Sequence, residues 1–169
     1  MGSGYVIKCK ECGFSYDVSI GIGFLYSDVC DKILEDMKNG KFGEDFKESA
    51  NTITNPAIRQ SDELFVCDNC GFWRASEIID LCSPIETKKK KKCLFWIKDI
   101  LNDEPKEITS YVMTAQIGRT HQIVRSVEHK CDCCRTNMHP IEESNIRRFN
   151  LRCPKCHEQL LISFPYDWD

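Results

Sequence analysis

Eight of the twelve cysteines in this 169-residue chain stand in four Cys-x-x-Cys pairs. The pairs are Cys9/Cys12, Cys67/Cys70, Cys131/Cys134 and Cys153/Cys156. Two thiolates separated by two residues can hold one metal ion from a tight turn, which we call a knuckle. Two knuckles complete the tetrahedral sulfur shell that structural zinc prefers. The four pairs therefore predict two Zn2+ ions per chain, with these eight cysteines as ligands.

The spacing of the knuckles does not say which two share an ion. Contiguity favours the first pair with the second and the third pair with the fourth. The 18 residues between Cys134 and Cys153 match the spacing of a single zinc site. The alternative is an interleaved arrangement that joins the first pair to the third. Inside the third knuckle, Cys133 could replace Cys134 as a ligand.

The other cysteines have different expected roles. Cys30 falls on the apolar side of a predicted helix, where a free cysteine packs as a small hydrophobe. Cys82 and Cys93 flank the lysine run at residues 88–92 and are expected to pack, or alternatively to form a redox-active couple.

The first residues show no secretory signal, so we expect a reducing cytoplasmic setting, in which spaced cysteines bind metal more often than they form disulfides. A secreted disulfide scaffold is the alternative.

Several classes of function are not expected from the motifs. A shell of four thiolates is closed and does not activate water, so the predicted metal sites are structural rather than catalytic. The sequence has no HExxH, no GxSxG, no Walker loop and no deaminase signature. It also lacks an apolar run of about 18 residues that could cross a bilayer. We therefore predict that the protein is not an enzyme and does not enter a membrane.

The charge is unevenly distributed and suggests an anionic partner for one half of the chain. The net charge of −3 divides into −6 for residues 1–80 and +3 for the remainder. Paired arginines beside Phe149 suit phosphates and stacked bases. The candidate nucleic-acid contacts are Arg135, Arg147, Arg148, Arg152 and Lys155. A solvated basic surface without a ligand is the alternative.

The periodicity of the apolar residues predicts an α+β, mostly β protein. Two-residue alternation leads into and out of the knuckles, and residues 109–117 also favour a strand. Helical spacing begins after Ser27, a plausible N-cap, and a shorter helix is predicted over residues 44–50.

We expect two zinc-ribbon modules: residues 1–81 with a helical insertion, and residues 93–169, rich in β-strands. Residues 82–92 form a lysine-rich linker. The aromatic segment 164–168 should pack on the second ribbon or act as a docking tail.

The surroundings of the knuckles carry a resemblance. The segments MGSGYVIKCKECGF, LFVCDNCGFW and LRCPKCHEQL are similar to those of small uncharacterised bacterial zinc-ribbon proteins with two sites of four cysteines each. The resemblance implies the eight cysteine ligands and a cytoplasmic setting, and it implies no biochemical activity. The third knuckle departs from the usual pattern, since it has Cys-Asp-Cys-Cys followed by Arg135.

These observations together predict a non-catalytic zinc-binding adaptor for a macromolecular partner. A protein is the favoured partner. The alternatives are a nucleic-acid-binding protein that uses the basic C-terminal ribbon, and a zinc-thiolate sensor whose oxidation releases metal. No small-molecule substrate is evident from the motifs.

Overall fold

The computed structural model describes residues 2–22, 26–85, 109–141, 143–163 and 165–168. These residues form one antiparallel sheet with two helices on it. The strands are β1 (Gly2–Lys8), β2 (Ser15–Gly21), β3 (Ala57–Val66), β4 (Trp73–Pro84), β5 (His121–Ser126), β6 (His139–Pro140), β7 (Leu161–Ile162) and β8 (Tyr166–Trp168). The helices are α1 (Tyr26–Lys38) and α2 (Glu44–Thr52). Short 3-10 turns lie at Thr114–Gln116 and Glu143–Arg148.

The sheet brings distant parts of the chain side by side. Its strand order is β5-β4-β3-β2-β1-β7, with β6 also paired to β3 and β8 to β1. Two hairpins, β1–β2 and β3–β4, form its centre, and the turn of each hairpin is a Cys-x-x-Cys knuckle. The strands β6 and β7 from the last third of the chain are short and add to these hairpins at their knuckle ends.

The two helices cover one part of the sheet. Cys30, Leu34 and Met37 are buried on α1 at helical spacing and belong to one core with Ile58 of β3 and Leu81 of β4. Because apolar residues three or four positions apart share one side of a helix, this pattern predicts the buried face correctly. Neither helix is both long enough and apolar enough to span a bilayer within the described parts of the chain.

The predicted fold class is confirmed, because the protein is an α+β fold, mostly β, with two helices. The first helix starts at Tyr26, so Ser27 lies inside it and is not its N-cap. The strand predicted over residues 109–117 is wrong. Tyr111 makes a single bridge to Ile58, and a 3-10 turn follows. The Gln116 side chain accepts a hydrogen bond from the Met113 amide at 2.8 Å, which favours a turn over an extended strand.

The C-terminal aromatic segment packs on a different element from the one predicted. Its strand β8 pairs with β1, where Gly4 lies opposite Tyr166. The expectation that it covers the second ribbon of residues 93–169 is therefore wrong. The segment instead extends the sheet beside the first strand of the chain.

Part of the sequence-based interpretation lies outside the described residues. This applies to the lysine run at residues 88–92, to Cys93 and to most of the predicted linker. The division of the chain at residues 82–92 stays a prediction. Strand β4 continues through the first residues of that segment, since it pairs with β5 from Asp80 to Pro84.

Candidate metal centres

The thiols of the four knuckles come together in two groups of four. The first cluster contains Cys9, Cys12, Cys153 and Cys156, and the second contains Cys67, Cys70, Cys131 and Cys134. Within each cluster all four sulfurs lie within 4.8 Å of one another. The outer two knuckles of the sequence therefore meet, and the inner two meet, in a nested arrangement.

This arrangement corrects both pairings that were considered from the sequence. Consecutive knuckles do not share a cluster, and neither do the first and the third. The physical reason is the strand pairing: Ile7 of β1 pairs with Ile162 of β7, and Phe65 of β3 pairs with Pro140 of β6. The fourth knuckle is followed by β7 and therefore meets the β1–β2 hairpin. The third knuckle is followed by β6 and therefore meets the β3–β4 hairpin.

All four knuckles share one backbone geometry. The amide of the first cysteine donates a hydrogen bond to the carbonyl five residues later, at 2.8 Å in each case. The residue that follows the second cysteine has a positive φ in every knuckle. These residues are Gly13 (70°), Gly71 (72°), Arg135 (63°) and His157 (65°). The sequence therefore places glycine at two of the four left-handed positions and larger residues at the other two.

The two clusters are structural repeats of each other. In both, the residue two positions before the first cysteine pairs with the residue six positions after the last. A single bridge closes each late knuckle at equivalent positions, Lys130 with Asn137 and Arg152 with Gln159. The molecule thus contains one four-cysteine unit twice, with the second copy inserted in the sequence of the first.

The distances between the sulfurs fit a metal ion and do not fit disulfides. The shortest contacts are 3.4 Å for Cys9–Cys156 and for Cys67–Cys134. Bonds of about 2.3 Å from a tetrahedral zinc ion place its sulfurs roughly 3.8 Å apart, whereas a disulfide needs about 2.0 Å. All eleven cysteines of the described residues are free. A tetrahedral set of four sulfurs suits zinc, and iron is the other metal that commonly uses it.

Each cluster has a protein side and a solvent side. The first cysteine of every knuckle is buried, whereas Cys12 and Cys70 are exposed. Cys9 and Cys153 belong to an apolar core with Ile7, and Cys67 and Cys131 pack in a separate core. An ion bound in either cluster would therefore be held partly by thiols of the apolar core.

Side chains stabilise negative charge at the second cluster. Hydrogen bonds from Asn69, and then from Thr136, lower the pKa of Cys134 to about 5. The Thr136 hydroxyl also lowers the pKa of Cys67. Its Oγ1 lies 3.0 Å from the sulfur of Cys134 and 3.1 Å from that of Cys67, and its single proton serves one sulfur at a time. These donors favour the thiolate form that metal binding requires.

The first cluster relies on backbone amides instead. Burial raises the pKa of Cys153, but hydrogen bonds from the amides of Cys156 and Lys155 outweigh this effect, and the pKa is lowered to about 7. Glu158 occupies the position equivalent to Thr136 and offers no hydroxyl donor when ionised. The two repeats therefore share a geometry but differ in how they compensate thiolate charge.

The remaining cysteines separate clearly from the clusters. Cys134, not Cys133, contributes its sulfur to the second cluster, and Cys133 is exposed beside it. Cys30 and Cys82 are fully buried, which confirms the packing role predicted for Cys30. The predicted couple of Cys82 with Cys93 cannot be placed, because Cys93 lies outside the described residues.

The candidate nucleic-acid contacts are divided between the two clusters. Arg135 belongs to the knuckle of the second cluster, whereas Arg152 and Lys155 belong to that of the first. Arg152 donates from Nη1 to the carbonyl of His157 at 3.2 Å and so supports its own knuckle. Arg148 is exposed on a 3-10 turn, and the side chain of Arg147 lies outside the described residues. Contact with nucleic acid stays a prediction.

Two residues that support the clusters by hydrogen bonds were not predicted from the sequence. Thr136 contacts two sulfurs, and Trp73 donates from Nε1 to the carbonyl of Arg152 at 2.8 Å. Thr136 stands two residues after Cys134, where a side chain readily reaches the sulfurs. Trp73 has no such local signal, because its partner is remote in sequence.

Comparison with known proteins found no relative of this chain. The chain matches no protein-family model, no curated protein and no solved structure. The resemblance to bacterial zinc-ribbon proteins therefore stays a prediction, and the geometry of two four-cysteine clusters carries the argument.

Proposed function

We propose that the protein is a non-catalytic zinc protein in which two Zn2+ ions fasten the sheet and its knuckles into a binding module. The observation that carries this proposal is the grouping of eight thiols into two tetrads with contacts of 3.4–3.5 Å. Sulfur ligands stay reduced in the cytoplasm, which is the compartment we propose.

The ions would stabilise contacts between segments that are far apart in sequence. Cys12 and Cys153 are 141 positions apart, and Cys70 and Cys131 are 61 positions apart. Structural zinc binds with an apparent free energy of about 10–16 kcal/mol at neutral pH, which is comparable to the stability of a whole domain. We therefore propose that folding of the sheet depends on metal.

The proposed role is structural because a shell of four cysteines leaves no coordination position for water or substrate. The four protein ligands also disperse the charge of the ion, so it is a weak Lewis acid. The chemistry that such a centre supplies is the fixing of loop geometry.

Native mass spectrometry of the purified chain tests this proposal with a matched pair of variants. We expect two zinc ions in the wild type and in Cys133→Ser. Cys134→Ser should lose one ion, although the same substitution at the adjacent position, Cys133, loses none. Iron in the wild type, fewer than two ions, or loss of metal from Cys133→Ser would contradict the assignment.

We further propose that the binding module serves a protein partner. Leu161 and Tyr166 are each 46% exposed on strands that pair with β1, where Leu161 lies opposite Lys8, next to the first cluster, and Tyr166 lies opposite Gly4. The two residues share one face of the sheet, and exposed apolar groups on one face are typical of protein contacts. Binding to such a partner should persist after nuclease treatment and in moderate salt, and Leu161→Lys should weaken it. Binding that falls steeply with salt would instead favour the nucleic-acid alternative.

A further inference from the structure

A cleft of about 660 Å³ lies over the β3–β4 hairpin. We call it the central cleft. Arg59 and Ser61 of β3 and Ile78 of β4 form part of its lining. A smaller cavity of about 240 Å³ also contacts Arg59 and Ile78, so these residues separate two neighbouring spaces. No cysteine ligand lines either cavity.

Arg59 of the central cleft forms a buried ion pair with Asp80, which lines the smaller cavity; we call this pair the polar centre. Arg59 Nε lies 2.7 Å from Asp80 Oδ2, and the two side chains are 16% and 3% exposed. The Nε hydrogen is not aimed along this contact, so charge rather than a hydrogen bond holds the pair. Burying such a pair is costly, and apolar replacements are often more stable. Asp80 neutralises Arg59, whose terminal nitrogens Nη1 and Nη2 supply further donors.

Ser61 places a second polar group next to Arg59. The two residues are two positions apart on β3 and therefore point to the same face of the sheet. Ser61 is buried, and its Oγ donates a hydrogen bond to Glu63 Oε1 at 3.1 Å. Because its proton is used in this way, Ser61 presents oxygen lone pairs to further donors.

The remainder of the cleft is largely apolar. Ile20 and Ile22 line one end, Ile141 lines another part, and Met113 is 48% exposed among the lining residues. A cavity of this size with apolar walls and a few convergent polar groups is typical of a small-molecule site. The polar groups then decide which chemical class fits.

We propose that the central cleft binds a small uncharged amphipathic molecule that carries an amide. The amide oxygen accepts hydrogen bonds from Arg59, the amide nitrogen donates to Ser61, and the apolar body contacts the isoleucines. An uncharged group fits better than a carboxylate because Asp80 already compensates the charge of Arg59. A carboxylate would add an uncompensated negative charge close to Asp80 and Glu63.

Titration of the zinc-loaded full chain with hexanamide tests the proposal, with methyl NMR of isoleucine and methionine as the readout. We expect saturable shifts at Ile20, Ile22, Ile78, Ile141 and Met113. Hexanoate, which has the same chain length, should bind at least about tenfold more weakly, since its charge would lie close to Asp80 and Glu63 and a buried unpaired charge costs more than one hydrogen bond.

Variants of the polar centre and of the apolar lining complete the test. Arg59→Met combined with Asp80→Leu removes both charges and should abolish the preference for the amide. Met113→Glu adds a charge at an exposed position and should weaken hexanamide binding without affecting folding. Arg125→Met is the matched control, because Arg125 lies outside the cleft and pairs with Asp45.

Three results would overturn the proposal. They are shifts that spread over the molecule without saturating, hexanoate binding as tightly as hexanamide, and hexanamide binding that Met113→Glu leaves unchanged. If the double variant loses its zinc or its NMR dispersion, the Met113→Glu measurement decides. Failure of this proposal is distinguishable from failure of the proposed zinc function, since native mass spectrometry counts the ions separately and no cluster residue is altered.

Discussion

The indole of Trp73 donates a hydrogen bond from Nε1 to the backbone carbonyl of Arg152 at 2.8 Å. Trp73 follows the second knuckle by three residues, whereas Arg152 immediately precedes Cys153 of the first cluster. The ring of Trp73 also meets Phe14 and Tyr16 edge-on, with centroids 6.3 and 5.6 Å away. One side chain from the second metal unit thus supports the first.

Trp73→Phe should weaken the first cluster more than the second. The substitution keeps an aromatic ring but leaves the carbonyl of Arg152 without its donor, which costs about 1–3 kcal/mol. Cadmium-substituted protein and 113Cd NMR separate the two ions, and we expect faster metal release from the first cluster. Tyr16→Phe, which keeps the ring contact, is the control. Equal release from both clusters would contradict this coupling.

The nested pairing predicts metal stoichiometries in double variants. Cys12→Ser with Cys156→Ser removes two ligands from one cluster, so the protein should retain one ion. Cys12→Ser with Cys70→Ser removes one ligand from each cluster and should leave none. Pairing of consecutive knuckles would reverse these two results, which native mass spectrometry distinguishes directly.

Glycine should stabilise the third and fourth knuckles. A non-glycine residue in the left-handed region costs about 1–2 kcal/mol, which glycine avoids. Glycine loses more backbone entropy on folding, and this loss offsets about 0.5–1 kcal/mol of the stabilisation. Arg135→Gly and His157→Gly should therefore each raise the free energy of unfolding by about 0.5–1 kcal/mol. Gly13→Ala, at the equivalent position of the first knuckle, should lower it. Urea denaturation of the zinc-loaded protein measures all three, and destabilisation by both glycine variants would refute the strain argument.

Gly4→Ala should loosen the C-terminal strand. A methyl group at Gly4 would overlap the ring of Tyr166, whose strand β8 pairs with β1. The ring must swing away, which removes its packing on Gly4 and weakens the attachment of β8 to β1. Hydrogen exchange should become faster at residues 166–168 and unchanged at β3. In Gly4→Ala combined with Tyr166→Ala the overlap is absent, so Gly4→Ala should no longer add to the exchange rate. An added effect in that background would point to another cause.

Stability should fall at alkaline pH because of buried thiols. Burial raises the pKa of Cys30 to about 12 from its ordinary value of 9.0. Between these values the unfolded chain ionises while the folded chain does not, so stability is lost as the pH rises. The loss is at most about 1.4 kcal/mol per pH unit for one group. Unfolding free energies between about pH 8.5 and 10.5 should decline less steeply for Cys30→Ala than for the wild type. Equal slopes would contradict this origin.

Local chemistry in the sequence predicted the elements well, and contacts between distant segments explain where prediction failed. Apolar spacing around Cys30 and Leu34 predicted α1, and the four knuckles were recognised by their cysteines. Knuckle spacing identifies ligands but carries no information about which knuckle a hairpin will meet. That choice depends on pairing between β1 and β7 and between β3 and β6, each of which involves two residues per strand.

The predicted strand over residues 109–117 failed for a related reason. Its β-forming residues are suited to a sheet, but Tyr111 packs on α1, where its ring meets Tyr26 at 5.3 Å. The Gln116 side chain then turns the backbone. A side chain that bonds its own backbone thus prevailed over intrinsic strand preference.

Nesting also sets an order in which the molecule is assembled during synthesis. The inner ring, from Cys70 to Cys131, closes over 61 positions, and the outer ring, from Cys12 to Cys153, over 141. The second cluster needs the chain only up to Cys134, whereas the first cluster also needs Cys153 and Cys156. Closing the inner ring shortens the free chain that the outer ring must still close, and the closure cost grows with the logarithm of that length. We therefore expect the first knuckle, although it is made first, to be the last to meet its partner knuckle.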